Sequence, residues 1–78
     1  MANVTIYTTP SCVYCKMTKE FFKEHNVQYK EMNVAEDDKA REEMVDKSHQ
    51  LGVPVTDIDG NIVIGFDEKE LRRLLGIK

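Results

Sequence analysis

Apolar and polar residues alternate along Val4-Thr5-Ile6-Tyr7, and Thr8-Thr9-Pro10-Ser11 comes next, so a short strand is expected from Val4 to Tyr7, running into a loop at Pro10. The period then changes. Between Cys12 and about Glu24, Cys15, Thr18, Phe22 and His25 recur at three- and four-residue spacing and Phe21 widens the stripe, which predicts an amphipathic helix. Asn26 breaks the pattern, and Val27 to Val34 offers a second strand. A helix of this length lets the two strands lie parallel, joined by a right-handed crossover.

Glu36-Asp37-Asp38 places three acids where the dipole of a second helix favours them, and Ala40, Met44 and Ser48 form its four-residue stripe. Its expected N-cap is Ala35, a poor capping residue, so a frayed first turn or capping from Asn33 is expected. Gly52 closes the segment. Val53 to Ile58 and Asn61 to Ile64 flank Asp59-Gly60, the signature of a tight antiparallel hairpin. Asp67 and Glu70 then form a capping box with Phe66 and Leu71 as its hydrophobic staple. The third helix should bury Leu71, Leu74 and Leu75 and stop at Gly76. The order β-α-β-α-β-β-α, with one parallel pair and one hairpin, packs most economically as an α/β domain: a four-stranded mixed sheet flanked by three helices, the thioredoxin-like arrangement.

The 78 residues suffice for one domain spanning residues 1–78, with a small core. A formal net charge of -3 with scattered Lys and Arg argues against nucleic acid as a partner. Met1-Ala2-Asn3 leads into a short apolar run without the features of a secretory leader, and no stretch is long enough to cross a bilayer, so a cytoplasmic protein without membrane contact is expected.

Cys12 and Cys15 would close too small a loop to staple a fold, because little entropy is removed from the unfolded chain. In a reducing compartment a dithiol at this spacing points to redox chemistry or a metal. Zinc needs four ligands, and His25 and His49 do not stand at finger-like spacing from the pair, so no metal site is assigned. At the start of a helix, free N–H groups and the dipole stabilise a thiolate at Cys12, below the ~8.5 of a free cysteine. Cys12 is thus the expected nucleophile, and Cys15, nearly one turn deeper, the resolving thiol. Tyr14, between them, offers an exposed flat contact for a peptide-like substrate.

Thr8-Thr9-Pro10-Ser11-Cys12-Val13-Tyr14-Cys15-Lys16, Gly52-Val53-Pro54-Val55 and Gly65-Phe66-Asp67 resemble the glutaredoxin-like redoxins over essentially the whole chain. The resemblance is greatest to short bacterial and archaeal glutaredoxin-like proteins, between true glutaredoxins and the redoxins that serve ribonucleotide reductase. It implies a thiol–disulfide oxidoreductase without a tightly bound cofactor, working as a monomer on disulfide-containing proteins or glutathione mixed disulfides. It further implies a cis Pro54, and a substrate groove bordered by Tyr14, Val53, Pro54, Gly65, Phe66 and Asp67. The implied reductant is glutathione or thioredoxin reductase; a donor to ribonucleotide reductase and an iron–sulfur carrier are the alternative functions.

Thr9 stands where many glutaredoxins carry a lysine, Phe66 where they carry a second glycine, and Val63-Ile64 where the ribonucleotide-reductase redoxins carry Trp-Ser. Asp67 and the start of the third helix can still hold the charged end of glutathione. Phe66 reads equally as staple and as groove contact. Lys16 and Lys19 read as electrostatic support for the thiolate or as a solvated helix face, and His49 and Gln50 as surface residues, with Gln50 alternatively touching a substrate carboxylate.

Overall fold

The computed structural model describes residues 3–77, so the expectation attached to the Met1-Ala2 start lies outside the described residues. The elements are β1 (Val4–Thr8), α1 (Val13–Glu24), β2 (Lys30–Asn33), α2 (Asp38–Ser48), β3 (Val55–Ile58), β4 (Asn61–Ile64) and α3 (Glu68–Leu75). Their order matches the expected β-α-β-α-β-β-α. The strands form one sheet in the order β2-β1-β3-β4, with β1 and β2 parallel and the other neighbours antiparallel.

Side chains on a strand alternate between faces, so the central strand β1 sends residues into a core on either side of the sheet. Val4 and Ile6 join Phe21 and Phe22 of α1, Ile58, Val63 and Leu71 of α3 in one core cluster. Tyr7 points the other way, into a cluster with Val34, Ala40 and Met44 of α2, and Val55. Helices α1 and α3 therefore cover one face and α2 the other. The expected stripe of α2 is correct in full, since Ala40, Met44 and Ser48 are its buried residues. On α3 only Leu71 is fully buried; Leu74 and Leu75 are half-buried against the first cluster.

β1 runs one residue past expectation, to Thr8, β2 stops at Asn33, short of Val34, and three further boundaries differ. β2 begins at Lys30, because Asn26 takes a left-handed conformation at φ 56° and Val27 and Tyr29 pack onto the first cluster outside the strand. Their apolar character serves the core without joining the ladder. α2 is capped by Asp37, whose side chain accepts from the Ala40 N–H at 3.1 Å, and not by Ala35 or Asn33. The Asn33 side chain accepts from Ala35 N at 2.9 Å and its carbonyl from Asp37 N at 3.1 Å, so a turn precedes the helix. β3 begins at Val55, leaving Val53 and Pro54 before the strand.

The hairpin turn has Asp59 at φ 52° and Gly60 at φ 90°, positive at both central positions as this tight turn requires. Asp57 Oδ1 accepts the Gly60 N–H at 2.7 Å. At α3 the Asp67 side chain accepts from Glu70 N at 3.2 Å, while the Glu70 carboxylate pairs with Arg73. The cap thus forms through Asp67. Gly76, at φ 72°, ends the helix where expected.

Phe22→Ala is expected to cost about 3–5 kcal/mol, the range for emptying a buried aromatic site. Lys69→Ala, at an exposed position, should stay within about 0.5 kcal/mol of wild type. Equilibrium urea unfolding measures both.

Candidate functional site

β1 ends at Thr8, and Thr9-Pro10-Ser11 carries the chain into α1 with Cys12 as its N-cap. At φ -91° and ψ 114° Cys12 has the extended backbone of a cap, and its Sγ accepts the backbone N–H of Cys15 at 3.1 Å. A sulfur thus takes the place usually held by a serine or aspartate oxygen. The first turn of α1 carries no acidic side chain, so nothing there opposes the positive end of the helix dipole. Cys12 and Cys15 are joined in a disulfide with Cα atoms 5.2 Å apart. Cys15 is 1% exposed whereas Cys12 is half-buried, so a molecule arriving from solvent meets Cys12 first.

Pairing across the sheet brings the other sequence blocks to the same end. Tyr7 stands opposite Val55 in the antiparallel β1–β3 pair, so Pro54, which leads into Val55, lies at the end of the sheet where β1 runs into the cysteine loop. The Val53–Pro54 peptide is cis, and the Pro54 carbonyl accepts the Gly65 N–H at 2.8 Å. Phe66, next in the chain, turns inward, 6.1 Å from the Phe21 ring in an edge arrangement, while Asp67 caps α3. Tyr14 is 61% exposed on α1. The structure therefore gathers Cys12, Cys15, Pro54 and Gly65 at one end of the sheet. Phe66 packs its ring against the first core cluster and stays partly exposed.

A cavity of ≈ 260 Å3 lies beside Cys12, with Thr9, Ser11, Val13, Lys16 and Lys19 among its walls. Lys19 Nζ lies 2.9 Å from Glu31 Oε2, and the same oxygen accepts the Thr8 hydroxyl at 2.7 Å. These two hydrogen bonds, Lys19 first, hold the Glu31 carboxyl below its ordinary value. On the other face the buried Tyr7 hydroxyl donates to Glu43 at 2.8 Å and accepts from Lys47 at 3.0 Å, and Lys47 reaches Asp57 at 2.8 Å. Burial pushes the Tyr7 phenol up, and Asp57 foremost holds the Lys47 ammonium in its charged form. Neither network is legible in the sequence as a whole. Glu43 and Lys47 stand at helical i,i+4 spacing, a visible signal, but nothing local announces Tyr7, Asp57 or Glu31 as partners.

The remaining candidates have structural positions. His25 closes α1 with its ring 4.5 Å from that of Phe21, at the end of the helix away from the cysteines. His49 closes α2 in a left-handed conformation, and Gln50 bonds both the N–H and the carbonyl of Gly52, which shapes the loop before Val53. Among the described residues no group of three or more His, Cys, Asp or Glu side chains is placed to hold a metal ion, and no helix is long and apolar enough to cross a membrane.

The sequence model of the glutaredoxin family matches residues 4–63. The chain belongs to the glutaredoxin family. It is 50% identical over 72 residues to a glutaredoxin-like 8.6 kDa protein of Clostridium pasteurianum, covering 92% of this chain and 96% of that one. It is 34% identical over 74 residues to the glutaredoxin-like protein NrdH of Lactococcus lactis subsp. cremoris, covering 91% and 97%. The crystal structure of a point mutant of the thioredoxin-like protein BC3987 superposes over the whole of both chains with a TM-score of 0.92 at 36% identity. Family and dithiol together make this glutaredoxin-like chain a thiol–disulfide oxidoreductase of thioredoxin-like fold.

Because the Glu31 carboxyl is depressed in the folded state, its stabilising effect is complete above the unfolded value of ~4.3 and is lost as pH falls through the folded value. Glu31→Gln should therefore be less stable than wild type at neutral pH by no more than about 1 kcal/mol, as the pair is partly exposed. The gap should close on acidification below pH ~4. Urea unfolding at a series of pH values measures it.

Proposed function

We propose that the chain reduces disulfides by dithiol exchange, with Cys12 as the attacking and Cys15 as the resolving thiol. The observation that carries this reading is the position of Cys12 Sγ as the cap of α1, accepting the Cys15 N–H at 3.1 Å. Hydrogen bonding and the helix dipole both favour the thiolate, the form that attacks. The Cys12 thiolate attacks one sulfur of the substrate disulfide and the other leaves as a thiolate. Cys15 gives up its proton and attacks the Cys12 sulfur, closing the Cys12–Cys15 bond and releasing the second substrate thiol. Two electrons pass to the substrate, and an external reductant returns them.

The substrates proposed are protein disulfides and glutathione mixed disulfides. Tyr14, Val53, Pro54, Gly65 and Asp67 border the sulfur as the contact surface, with Phe66 supporting it from the core. The exposed Tyr14 ring and the Val53 backbone, set just outside the β3 ladder, suit an extended peptide. A second reading, a donor to ribonucleotide reductase reset by thioredoxin reductase, rests on the 34% identity to NrdH and on the Gly65-Phe66 pair. A dithiol carrier of either kind suits the reducing cytosol, and two core clusters sharing one sheet suit a single domain over the chain.

Cys15→Ser is expected to accumulate a mixed disulfide between Cys12 and substrate, seen by mass spectrometry under non-reducing conditions. Cys12→Ser should form none and lose disulfide reduction entirely. Recovery of the oxidised protein with glutathione and glutathione reductase, set against NADPH and thioredoxin reductase, separates the two readings. Absence of any Cys12 adduct in the Cys15→Ser protein would count against the exchange mechanism.

A further inference from the structure

The two edges of the sheet differ in chemistry. At one, β2 presents Lys30 and Glu31, both charged and exposed, side chains of the kind that discourage pairing with another strand. At the other, β4 reads Asn61-Ile62-Val63-Ile64, without charge or proline, and Ile64 is 55% exposed. The ladder shows which backbone groups of β4 are open. Gly65 donates its N–H to the Pro54 carbonyl at 2.8 Å, in the same register that sets Ile64 opposite Val55 and Val63 opposite Thr56. Backbone groups alternate sides along an antiparallel strand, so Gly65, Val63 and Asn61 turn theirs to β3 while Ile62 and Ile64 turn theirs outward. No turn, cap or loop backbone among the described residues bonds to either of the outward pair.

Resting on the exchange reaction proposed above, we infer that the open edge of β4 is a docking strand for the substrate protein. While Cys12 holds the substrate as a mixed disulfide, an extended, uncharged segment of that substrate pairs with Ile62 and Ile64 as an added strand. β4 runs straight into Gly65, which is bonded to Pro54, so the edge ends where the contact surface beside Cys12 begins. A strand added outside β4 lies three spacings of ~4.8 Å from β1, a gap that about four to five extended residues cross. Two outward residues give too little contact for a free complex or for a second copy of this chain, since stable interfaces take roughly 20–30 residues a side. A substrate already joined to Cys12 pairs intramolecularly, where a small contact suffices.

The full-length Cys15→Ser protein tests this, equilibrated with mixed disulfides between 2-mercaptoethanol and cysteine peptides. Each peptide carries a Val-Thr-Val-Thr segment about four residues before or after its cysteine, a gap set by the strand spacing, and each has a twin whose segment is N-methylated and cannot pair. In the reaction Cys12 bonds the peptide sulfur, the peptide disulfide breaks and 2-mercaptoethanol leaves as its thiolate. The adduct equilibrium constant, read by mass spectrometry, should favour the strand peptide over its twin roughly five-fold in at least one arrangement, the size of one net hydrogen bond. Adding Ile64→Pro removes an outward donor without touching the ladder to β3, and should bring the ratio close to one. Ile64→Thr keeps the donor and should keep the ratio. The amides of Ile62 and Ile64 should exchange with deuterium more slowly in the strand adduct than in the twin adduct, a reading that needs no edge variant to fold.

Equal adduct formation by strand peptides and twins, or amides that exchange alike in both adducts, overturns the inference while leaving exchange intact. Loss of the ratio in Ile64→Thr as well as Ile64→Pro assigns the preference to the apolar side chain and overturns strand pairing. Amide protection that is present in the free protein and rises with its concentration gives the edge to a second copy of the chain, and overturns it too. Failure of every peptide to form an adduct with Cys12 overturns the exchange mechanism itself.

Discussion

β1 is dry on both faces, and the site depends on that. Ile6 and Tyr7 are both wholly buried although they point in opposite directions, because α1 and α3 close one side of the strand and α2 the other. A strand held this way has a fixed direction and a fixed end. The chain leaves it at Thr8 over the end of the sheet and starts α1 there, and that start is Cys12. The same packing sets β3 antiparallel to β1, which puts Val53-Pro54, leading into β3, at the end of the sheet where β1 finishes.

Chemistry at the sulfur arises from the ordinary needs of a helix end. The first turn of any helix has N–H groups without intrahelical partners, and here one of them donates to Cys12 Sγ. A thiolate is a better acceptor than a thiol, so the bond that starts the helix also favours the reactive form. Burial divides the pair, leaving the sulfur of Cys12 partly open to solvent and that of Cys15 shielded from it. The positive end of the helix dipole is left unopposed by any acid in the first turn.

The two polar networks lock the sheet to its helices. Glu31 ties β2 to β1 through Thr8 and to α1 through Lys19. Lys47 ties α2 to β1 through Tyr7 and to β3 through Asp57, whose other oxygen holds the hairpin turn. A buried phenol needs a partner, and Tyr7 finds Glu43 and Lys47 one helical turn apart on α2. These contacts brace the strand that carries the cysteine loop and leave the loop itself free of them.

The sequence by itself determined the features whose causes are local. The element order, the Asp59-Gly60 turn, the cap at Asp67, the stop at Gly76 and the dithiol at a helix start all come from residues within a few positions of one another, where period, turn chemistry and capping act. Where competing local signals met, position alone did not choose: the Asp37 side chain took the cap of α2 from Asn33 and Ala35, and packing on the core drew Val27 and Tyr29 out of the ladder. Tertiary structure decided the rest: which face Tyr7 takes, that Glu31 answers Lys19, and that the Pro54 carbonyl accepts from Gly65. Those pairings join residues far apart in the chain, and they come into being only when the strand order β2-β1-β3-β4 sets their distances.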